Sequence, residues 1–328
     1  MPFFNVKVPS DYSGNDRLDK YISSLPDGMN RSKLKTGIVE ILVNGKKAKF
    51  SQKIKANDLI DLNWEDNVPD DIEPENIPIE ILYEDNNVTV VNKKQGMVVH
   101  PACGNWNGTL VNALLYHWGK QAIHEINDTS LSESEALKRR RPGIVHRLDK
   151  DTSGIIITAR NRDSEEWLQS QFTNKRWMVK EYILITTGRP PAMSGDIKTM
   201  IIRDPKNRQK FKAVTDTDEG KFARTIYHCI ATYGNYSLIR VRIKTGRTHQ
   251  IRVHMKYIGC PILGDVIYNK PDSNFPEATL MLHSQKLRIC LPGDNKLTTF
   301  CTKIPERFKK IEKKLRNKYA MGKSLKIK

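Results

Sequence analysis

Several features that would place a 328-residue chain in a familiar class are missing from this sequence. No apolar run approaches the roughly 18 residues that a membrane-spanning helix needs, and residues 1–5 show neither the basic nor the apolar region of an export signal. The five cysteines are scattered, without a Cys-x-x-Cys pair or a metal-ligand spacing to the histidines. We therefore expect a cytoplasmic protein with free thiols, no membrane association and no bound metal.

The sequence patterns of several large enzyme classes are absent as well. There is no Walker-type or Gly-x-Gly-x-x-Gly phosphate loop, no Gly-x-Ser-x-Gly elbow of a serine hydrolase and no internal repeat. These absences argue against the common nucleotide-binding and hydrolase folds. We expect no cofactor.

Positive charge, in contrast, is in excess. The formal net charge is +18, and a basic main body is followed by a strongly basic tail at residues 303–328. Such a distribution predicts a polyanionic partner, most simply a nucleic acid. A solvated lysine-rich surface would have the same composition, so charge alone leaves both interpretations open.

One acidic stretch interrupts this basic chain. Residues 65–90 contain nine acidic residues and neither lysine nor arginine. Residues 65–78 also include three prolines, which remove backbone donors and favour an extended linker. We predict four parts: a small N-terminal domain, this linker, a larger catalytic domain and a basic C-terminal helix and tail. Their bounds are residues 1–64, 65–78, 79–302 and 303–328.

The N-terminal part combines two helical patterns with a hairpin and a strand. Residues 16–22 predict a first helix with an Asn or Asp cap, and a second helical pattern begins at residue 30. The Asn44-Gly45 pair is a strong hairpin signal, and residues 57–62 alternate as a strand does. The apolar helix positions are Leu18, Tyr21 and Ile22 in the first helix, and Leu34, Ile38 and Ile41 or Leu42 in the second.

This part of the chain resembles the S4 RNA-binding domain, a small α/β fold. The resemblance implies that basic side chains of the helices face RNA. They are Arg17, Arg31, Lys33 and Lys35. An ordinary helical hairpin with a solvated basic face is the alternative.

The larger part is rich in strand patterns with a few helices between them. Because strands and helices do not alternate regularly, the pattern predicts an α+β domain with a mainly antiparallel sheet. The predicted helices cover residues 109–117 and 164–172, and the predicted strands cover residues 79–84, 88–91, 178–187, 222–232 and 236–244.

The most informative motif is the stretch His-Arg-Leu-Asp-Lys-Asp-Thr-Ser-Gly at residues 146–154. It lies between two apolar runs, residues 143–145 and 155–159, which predict two short strands joined by a charged turn. A turn does not need a His, an Arg, a Lys and two Asp. This excess of charge next to core strands indicates a reactive site on a rigid sheet.

Two other interpretations explain this motif less well. An Asp-x-Asp phosphatase would have Thr or Val four residues after its first Asp, where this chain has Ser153, and its strand end would be less polar. A purely structural turn, in which Asp151 bonds to Ser153, leaves Asp149 unexplained.

A second charged motif, Thr-Gly-Arg-Thr-His-Gln-Ile-Arg-Val-His, occupies residues 245–254 after an alternating strand. Its two Arg and two His on a glycine-opened turn could supply cations to an acidic group. The arginine fork holds a carboxylate through two hydrogen bonds and remains charged at any working pH. A charged surface turn would have the same sequence.

Together these motifs resemble the RluA-type pseudouridine synthases, most closely the RluD-type branch that acts on large-subunit ribosomal RNA. The resemblance also includes residues 81–85, 91–93, 98–101, 108–115, 264–265 and 282–284, in the same order along the chain. It implies a mixed, mainly antiparallel catalytic domain preceded by an S4-like domain. The implied reaction converts specific uridines to pseudouridine.

The resemblance also implies a role for individual residues. Asp149 is the catalytic carboxylate, which either attacks C1′ or takes the C2′ proton, and Arg252 pairs with it. Tyr182 stacks on the base and removes the C5 proton after reattachment. The substrate-binding residues are Arg147, which fills the space left by the flipped base, Ile251 and Leu282, which form the apolar wall, and Arg247 and His249.

The implied partner is large-subunit ribosomal RNA or one of its assembly intermediates, and we expect a monomer. A second hypothesis from another class keeps the same fold without catalysis. In that case the protein is an RNA-binding ribosome-assembly factor. The presence of Asp149, Tyr182 and Arg252 together argues against it.

Overall fold

The structure is a computed structural model in which two compact units, Met1–Asp70 and Asp71–Lys328, can be distinguished. It describes residues 3–25, 38–64, 72–101, 105–119, 143–174, 177–207, 209–215, 217–293 and 296–319. Within these residues, no helix is long and apolar enough to cross a membrane.

The N-terminal unit contains a four-stranded antiparallel sheet in the order β1-β4-β2-β3 and one described helix. The elements are β1 (Phe3–Lys7), α1 (Leu18–Ser24), β2 (Ile38–Val43), β3 (Lys46–Lys47) and β4 (Leu59–Trp64). Leu18, Tyr21 and Ile22 of α1 are buried in one cluster with Ile60 and Leu62 of β4. The first helix and its apolar face are therefore confirmed.

The hairpin prediction is also confirmed, because β2 and β3 are joined at Asn44 and Gly45 with φ angles of 52° and 71°. Positive φ at both central residues is the geometry that the Asn-Gly pair favours. The last strand of the unit, β4, overlaps the predicted strand at residues 57–62.

The predicted second helix is wrong where it can be compared. Residues 38–42 belong to strand β2, whereas Leu34 lies outside the described residues. The run Ile-Val-Glu-Ile-Leu-Val is rich in β-branched residues, and the Asn-Gly hairpin requires a strand before it. The predicted cap of α1 is wrong too, because Arg17 occupies the N-cap position and makes no side-chain capping bond.

The larger unit is built on one ten-stranded sheet in the order β10-β9-β11-β12-β8-β13-β7-β6-β5, with β14 paired to β13. Its strands are β5 (Glu80–Glu84), β6 (Val88–Lys93), β7 (Ser153–Ala159), β8 (Val179–Thr187), β9 (Ser194–Arg203), β10 (Phe211–Val214), β11 (Lys221–Tyr233), β12 (Tyr236–Ile243), β13 (Leu282–Cys290) and β14 (Leu297–Cys301). Its described helices are α2 (Leu110–Trp118), α3 (Arg162–Asn174), α4 (Gln250–Tyr257) and α5 (Glu306–Tyr319).

The strand pairs of this sheet are antiparallel, except that β13 runs parallel to β7. The predicted α+β class with a mainly antiparallel sheet is thus confirmed. The helices cover apolar strand faces: Leu168 of α3 packs near β6 and β7, and Phe308, Ile311 and Leu315 of α5 enter the main core. The amphipathic helix predicted at the start of the basic tail is therefore present.

Two local predictions in this unit are corrected, and four of its strands were not predicted. Residues 143–145, before the first motif, contribute a single antiparallel bridge from Ile144 to Thr158 where a strand was expected. The second charged motif is only partly a turn, since α4 begins within it at Gln250. The strands β9, β10, β13 and β14 were not predicted, because their mixed polar and apolar residues give a weak alternating pattern.

The backbone geometry explains why glycine ends the first motif. Gly154 has a φ of +115°, and a Cβ placed on it would lie 2.2 Å from the carbonyl oxygen of Ser284. It is paired with Ser284 where β7 and β13 run in parallel. Only a residue without a side chain allows the two backbones to approach this closely.

We expect Gly154→Ala to lower the unfolding free energy of the larger unit by about 2–4 kcal/mol, because steric overlap adds to an unfavourable φ. Gly259→Ala is the matched control, since Gly259 has a φ of +80° but a Cβ placed on it would meet no described heavy atom within 4 Å. This control substitution should lower the unfolding free energy by about 1 kcal/mol. Urea unfolding followed by circular dichroism measures both, and equal losses would contradict the close-approach argument.

Candidate active site

A cavity of about 350 Å³ in the larger unit is lined by both charged motifs. The turn before β7, the strand β8, the loop before α4 and the first residue of β13 all contribute to it. The structure brings all eight predicted residues of this site together: Arg147, Asp149, Tyr182, Arg247, His249, Ile251, Arg252 and Leu282.

Asp149 lies in the turn before β7, where its carbonyl accepts a hydrogen bond from the backbone N–H of Thr152 at 3.1 Å. Its side chain is 22% exposed to the cavity, which leaves the carboxylate accessible to a ligand. Two side-chain nitrogens approach its Oδ2 atom: Arg252 Nη1 donates to it at 3.4 Å, and His249 Nε2 lies 3.9 Å away. A carboxylate with cationic and polar neighbours in a cavity is suited to nucleophilic or general-base chemistry.

Arg252 extends from α4 and is fixed chiefly by Asp265, not by Asp149. Its Nε and Nη2 atoms each donate to one carboxylate oxygen of Asp265 at 2.7 Å, and the Asp265 side chain is fully buried. Burial acts to lower the pKa of Arg252, but its bonds to Asp265 and Asp149 outweigh this and raise the pKa. The guanidinium is therefore a permanent, immobile cation beside Asp149.

Asp265 lies in the segment 264–265, which is part of the family resemblance, but it was not among the predicted site residues. It also accepts hydrogen bonds from the backbone N–H groups of Ile267 and Tyr268, each at 3.0 Å. The signal in the sequence was a single acidic residue directly after the apolar segment 261–264. A carboxylate in such a position needs a buried cationic partner.

Tyr182 projects from β8 and is 5% exposed. Burial raises the pKa of its phenol far above the usual range, although a hydrogen bond with Ser284 opposes the shift. The phenol is therefore neutral at neutral pH. In this state the ring offers a flat, uncharged surface at the cavity.

Ile251 and Leu282 form part of an apolar wall and are 6% and 3% exposed. Both also belong to the main core cluster, so that the wall is the edge of the core that borders the cavity. A planar base can contact such a wall without losing hydrogen bonds. Of the two remaining arginines, Arg147 is exposed, and Arg247 is exposed and donates to the carbonyl of Phe222 at 2.9 Å.

A buried lysine next to the turn that carries Asp149 was not predicted from the sequence. Lys93 ends β6, is 1% exposed and donates to the carbonyl oxygens of Lys94, Met97 and Lys150 at 3.0, 2.8 and 3.1 Å. Burial lowers the pKa of Lys93 to about 7, against the opposing charges of Asp149 and Asp151. Its bond to Lys150 ties the turn that carries Asp149 to β6.

A buried polar network holds α4 in place below the cavity. His254 contacts the hydroxyls of Thr199 and Thr225 at 3.0 and 2.8 Å, and Gln250 donates to Thr225 at 2.9 Å. The side-chain oxygen of Gln250 accepts from the backbone N–H of Arg247 at 3.0 Å. This network joins the helix of Arg252 to β9 and β11.

The predicted RNA-facing residues of the N-terminal unit can be compared in one case only. Arg17 precedes α1, its side chain is 54% exposed, and its Nε lies 3.1 Å from Asp19. Arg31, Lys33 and Lys35 lie outside the described residues.

No group of three or more His, Cys, Asp or Glu side chains that could hold a metal ion occurs among the residues that the structure describes.

Comparisons with known proteins agree with this geometry. A family model described as RNA pseudouridylate synthase matches residues 87–257. A ribosomal large subunit pseudouridine synthase D from Borreliella burgdorferi is 44% identical over 298 residues, which cover 89% of this chain and 87% of that protein. A protein of the same name from Zymomonas mobilis is 36% identical over 327 residues, covering 96% and 98%.

The fold has a solved counterpart in the human protein RNA pseudouridylate synthase domain containing 4. That structure has a TM-score of 0.52, a sequence identity of 24%, and coverage of 72% of this chain and 93% of its own. The chain belongs to the RNA pseudouridylate synthase family, as the family model and the two bacterial relatives show. It is accordingly an isomerase.

The network around His254 predicts that stability depends on pH. Burial lowers the pKa of His254 to about 4, so the folded protein takes up this proton at lower pH than the unfolded chain, whose histidines titrate near 6.5. The stabilisation is complete above pH 6.5 and is lost as the pH falls towards 4, by about 1.4 kcal/mol per pH unit.

Urea unfolding between pH 7 and pH 5 measures this slope. His254→Gln should reduce the slope of the unfolding free energy against pH by the contribution of up to one proton. The same change at the exposed His228 should leave the slope unchanged. An identical slope in wild type and His254→Gln would contradict the assignment.

Proposed function

We propose that this protein isomerises specific uridines of large-subunit ribosomal RNA to pseudouridine, with Asp149 as the catalytic carboxylate. The observation that supports this most strongly is the placement of Asp149 in a cavity between an immobile arginine and an apolar wall. The cavity volume of about 350 Å³ is in the range that holds a small organic group.

The reaction breaks the N1–C1′ bond, turns the base and joins C5 to C1′. The C5 proton is then lost, in our proposal to Tyr182 as its phenolic proton is released, and N1 gains a proton, so that there is no net oxidation or reduction. A single ionised carboxylate is sufficient to break and remake the bond to C1′. Asp149 either attacks C1′ or removes the C2′ proton, and the two routes need the same carboxylate in the same cavity. Arg252 stabilises the negative charge of this group in both cases.

The other residues bind and orient the flipped nucleotide. Tyr182 stacks on the base, Ile251 and Leu282 contact its apolar face, and Arg247 and His249 complete the substrate site. Extrusion of the base costs a few kcal/mol. The planar guanidinium of Arg147, exposed at the cavity, is suited to filling the space that the base leaves.

Large-subunit ribosomal RNA, or an assembly intermediate of it, is the proposed substrate. The names of the two bacterial relatives and the net charge of +18 support this choice. We further propose that the protein acts as a cytoplasmic monomer. The alternative of a non-catalytic assembly factor does not fit the family of RNA pseudouridylate synthases to which the chain belongs.

The proposed role of the N-terminal part, residues 1–64, is to bind RNA as an S4 domain does. Its helix α1 and its Asn-Gly hairpin support this proposal. The division into this domain, the linker, the catalytic domain and the basic tail stays a prediction.

The direct test of the proposed function is Asp149→Asn. We expect it to abolish the release of tritium from 5-tritiated uridine in ribosomal RNA transcripts, a loss of at least about 10³-fold, because the amide neither attacks nor accepts a proton. Wild-type turnover should persist in the presence of a chelator. The exposed carboxylate Asp163 in α3 offers a control, and Asp163→Asn should retain full activity. Turnover by Asp149→Asn would refute the proposal.

The RNA-binding role is tested by removing the four predicted basic side chains together, as Arg17→Gln, Arg31→Gln, Lys33→Gln and Lys35→Gln. Each lost phosphate contact should reduce the slope of log affinity against log salt by about 0.7–0.9. The control removes equal charge from the same unit at Lys46, Lys47, Lys49 and Lys53. Equal slopes for both variants in filter binding would contradict a specific RNA-facing side.

A further inference from the structure

A second side chain besides Arg252 approaches the carboxylate of Asp149. The Nε2 atom of His249 lies 3.9 Å from Asp149 Oδ2, the same oxygen that Arg252 Nη1 approaches at 3.4 Å. The other ring nitrogen, His249 Nδ1, lies 2.9 Å from the hydroxyl of Tyr268. What this histidine offers to Asp149 depends on which nitrogen carries the proton.

The surroundings of the Tyr268 hydroxyl favour one position for that proton. Its oxygen accepts a hydrogen bond from the backbone N–H of Phe211 at 2.9 Å. Its single proton can be donated to His249 Nδ1, which lies within hydrogen-bond distance. A neutral imidazole that accepts at Nδ1 carries its proton on Nε2. In this tautomer the Nε2–H group faces Asp149.

The imidazole is also held in place mechanically. The rings of Phe211 and Tyr268 contact it edge-on, at centroid distances of 5.8 and 5.5 Å. The backbone of His249 is left-handed, with φ 55° and ψ 17°, directly before α4. A residue other than glycine in this conformation costs free energy and persists where the surroundings enforce it. The ring orientation is therefore set by its neighbours.

We propose that His249, held in its Nε2–H tautomer by the Tyr268 hydroxyl, is a positioning residue for Asp149. It donates to the oxygen that Arg252 also contacts, so that Oδ1 of Asp149 is directed to the ribose. This inference rests on the proposed function. It gives His249 a role towards the carboxylate, in addition to lining the substrate cavity.

The distances and charges around the ring agree with this role. Hydrogen bonds of catalytic groups are often long in an empty site and shorten when the substrate binds, so 3.9 Å is compatible with donation. Burial lowers the pKa of His249, while Asp149 raises it. The remaining charges that act on the ring are Arg252, Asp265 and Arg147. The imidazole is therefore neutral at neutral pH, and its single ring proton can lie on either nitrogen. The Tyr268 hydroxyl favours the tautomer with the proton on Nε2.

The first variant is Tyr268→Phe. It removes the hydroxyl and keeps the ring that lies 5.1 Å from the Arg252 guanidinium. We expect kcat to fall about 5- to 20-fold, with KM for the RNA changed less than about twofold, because orientation of the carboxylate is lost and substrate binding is not. Tyr227→Phe is the control, since it also removes a buried hydroxyl that bonds to the backbone, at Ala192, outside the cavity lining.

A double-mutant cycle separates positioning from a general structural loss. His249→Leu should lower kcat more than Tyr268→Phe does, by about 20- to 100-fold. The double variant should be no slower than His249→Leu alone, because the hydroxyl acts only through the imidazole. If the kcat loss of the double variant equalled the product of the two single losses, the inference would be overturned. His249→Gln, whose amide N–H can replace Nε2–H, should recover part of the activity.

The tautomer can be observed directly by nitrogen NMR of histidine-labelled protein, with His249→Leu used to assign the signal. Wild type should show a protonated Nε2 and an unprotonated Nδ1, and Tyr268→Phe should shift both nitrogens towards an averaged value. A wild-type protein that forms no pseudouridine would refute the proposed function. Full kcat in Tyr268→Phe, or an unchanged tautomer signal, would refute only the role of Tyr268 and His249.

Discussion

The candidate site depends on one interaction, the doubly hydrogen-bonded ion pair between Arg252 and the buried Asp265. Two charges buried together need both bonds to offset the loss of water, and this requirement fixes the guanidinium in one orientation. Its remaining Nη1 atom then points to Asp149. The electrostatic environment of the Asp149 carboxylate therefore depends on the contact between Arg252 and Asp265, in which Asp149 takes no part.

This arrangement places the two carboxylates that contact Arg252 in different environments. Asp265 is fully buried and has its bonds within the protein, whereas Asp149 is partly exposed and makes one weaker bond to the same arginine. A substrate in the cavity can therefore reach Asp149 but not the fully buried Asp265. Both carboxylates accept hydrogen bonds from Arg252, whose raised pKa keeps it charged with or without a bound substrate.

The sequence predicted the class of fold and the residues of the cavity more successfully than it predicted local geometry. The motifs at residues 146–154 and 245–254 were recognisable because such charge beside core strands is costly without a use. Asp265, Tyr268 and Lys93 were missed as site residues, because each is a single polar residue whose partner cannot be read from a local pattern. The helix expected at residues 38–42 is a strand, since hairpin pairing outweighed the helical spacing.

The place of β13 in the sheet has a consequence for the synthesis of the protein. This strand separates β7 from β8, yet it comes near the end of the chain, whereas the N-terminal unit ends at Asp70. Leu282 at its start lines the cavity that also contains Asp149 and Tyr182. On a translating ribosome, the catalytic sheet cannot close until β13 has emerged. A nascent chain would therefore have its first unit complete long before it could modify any uridine.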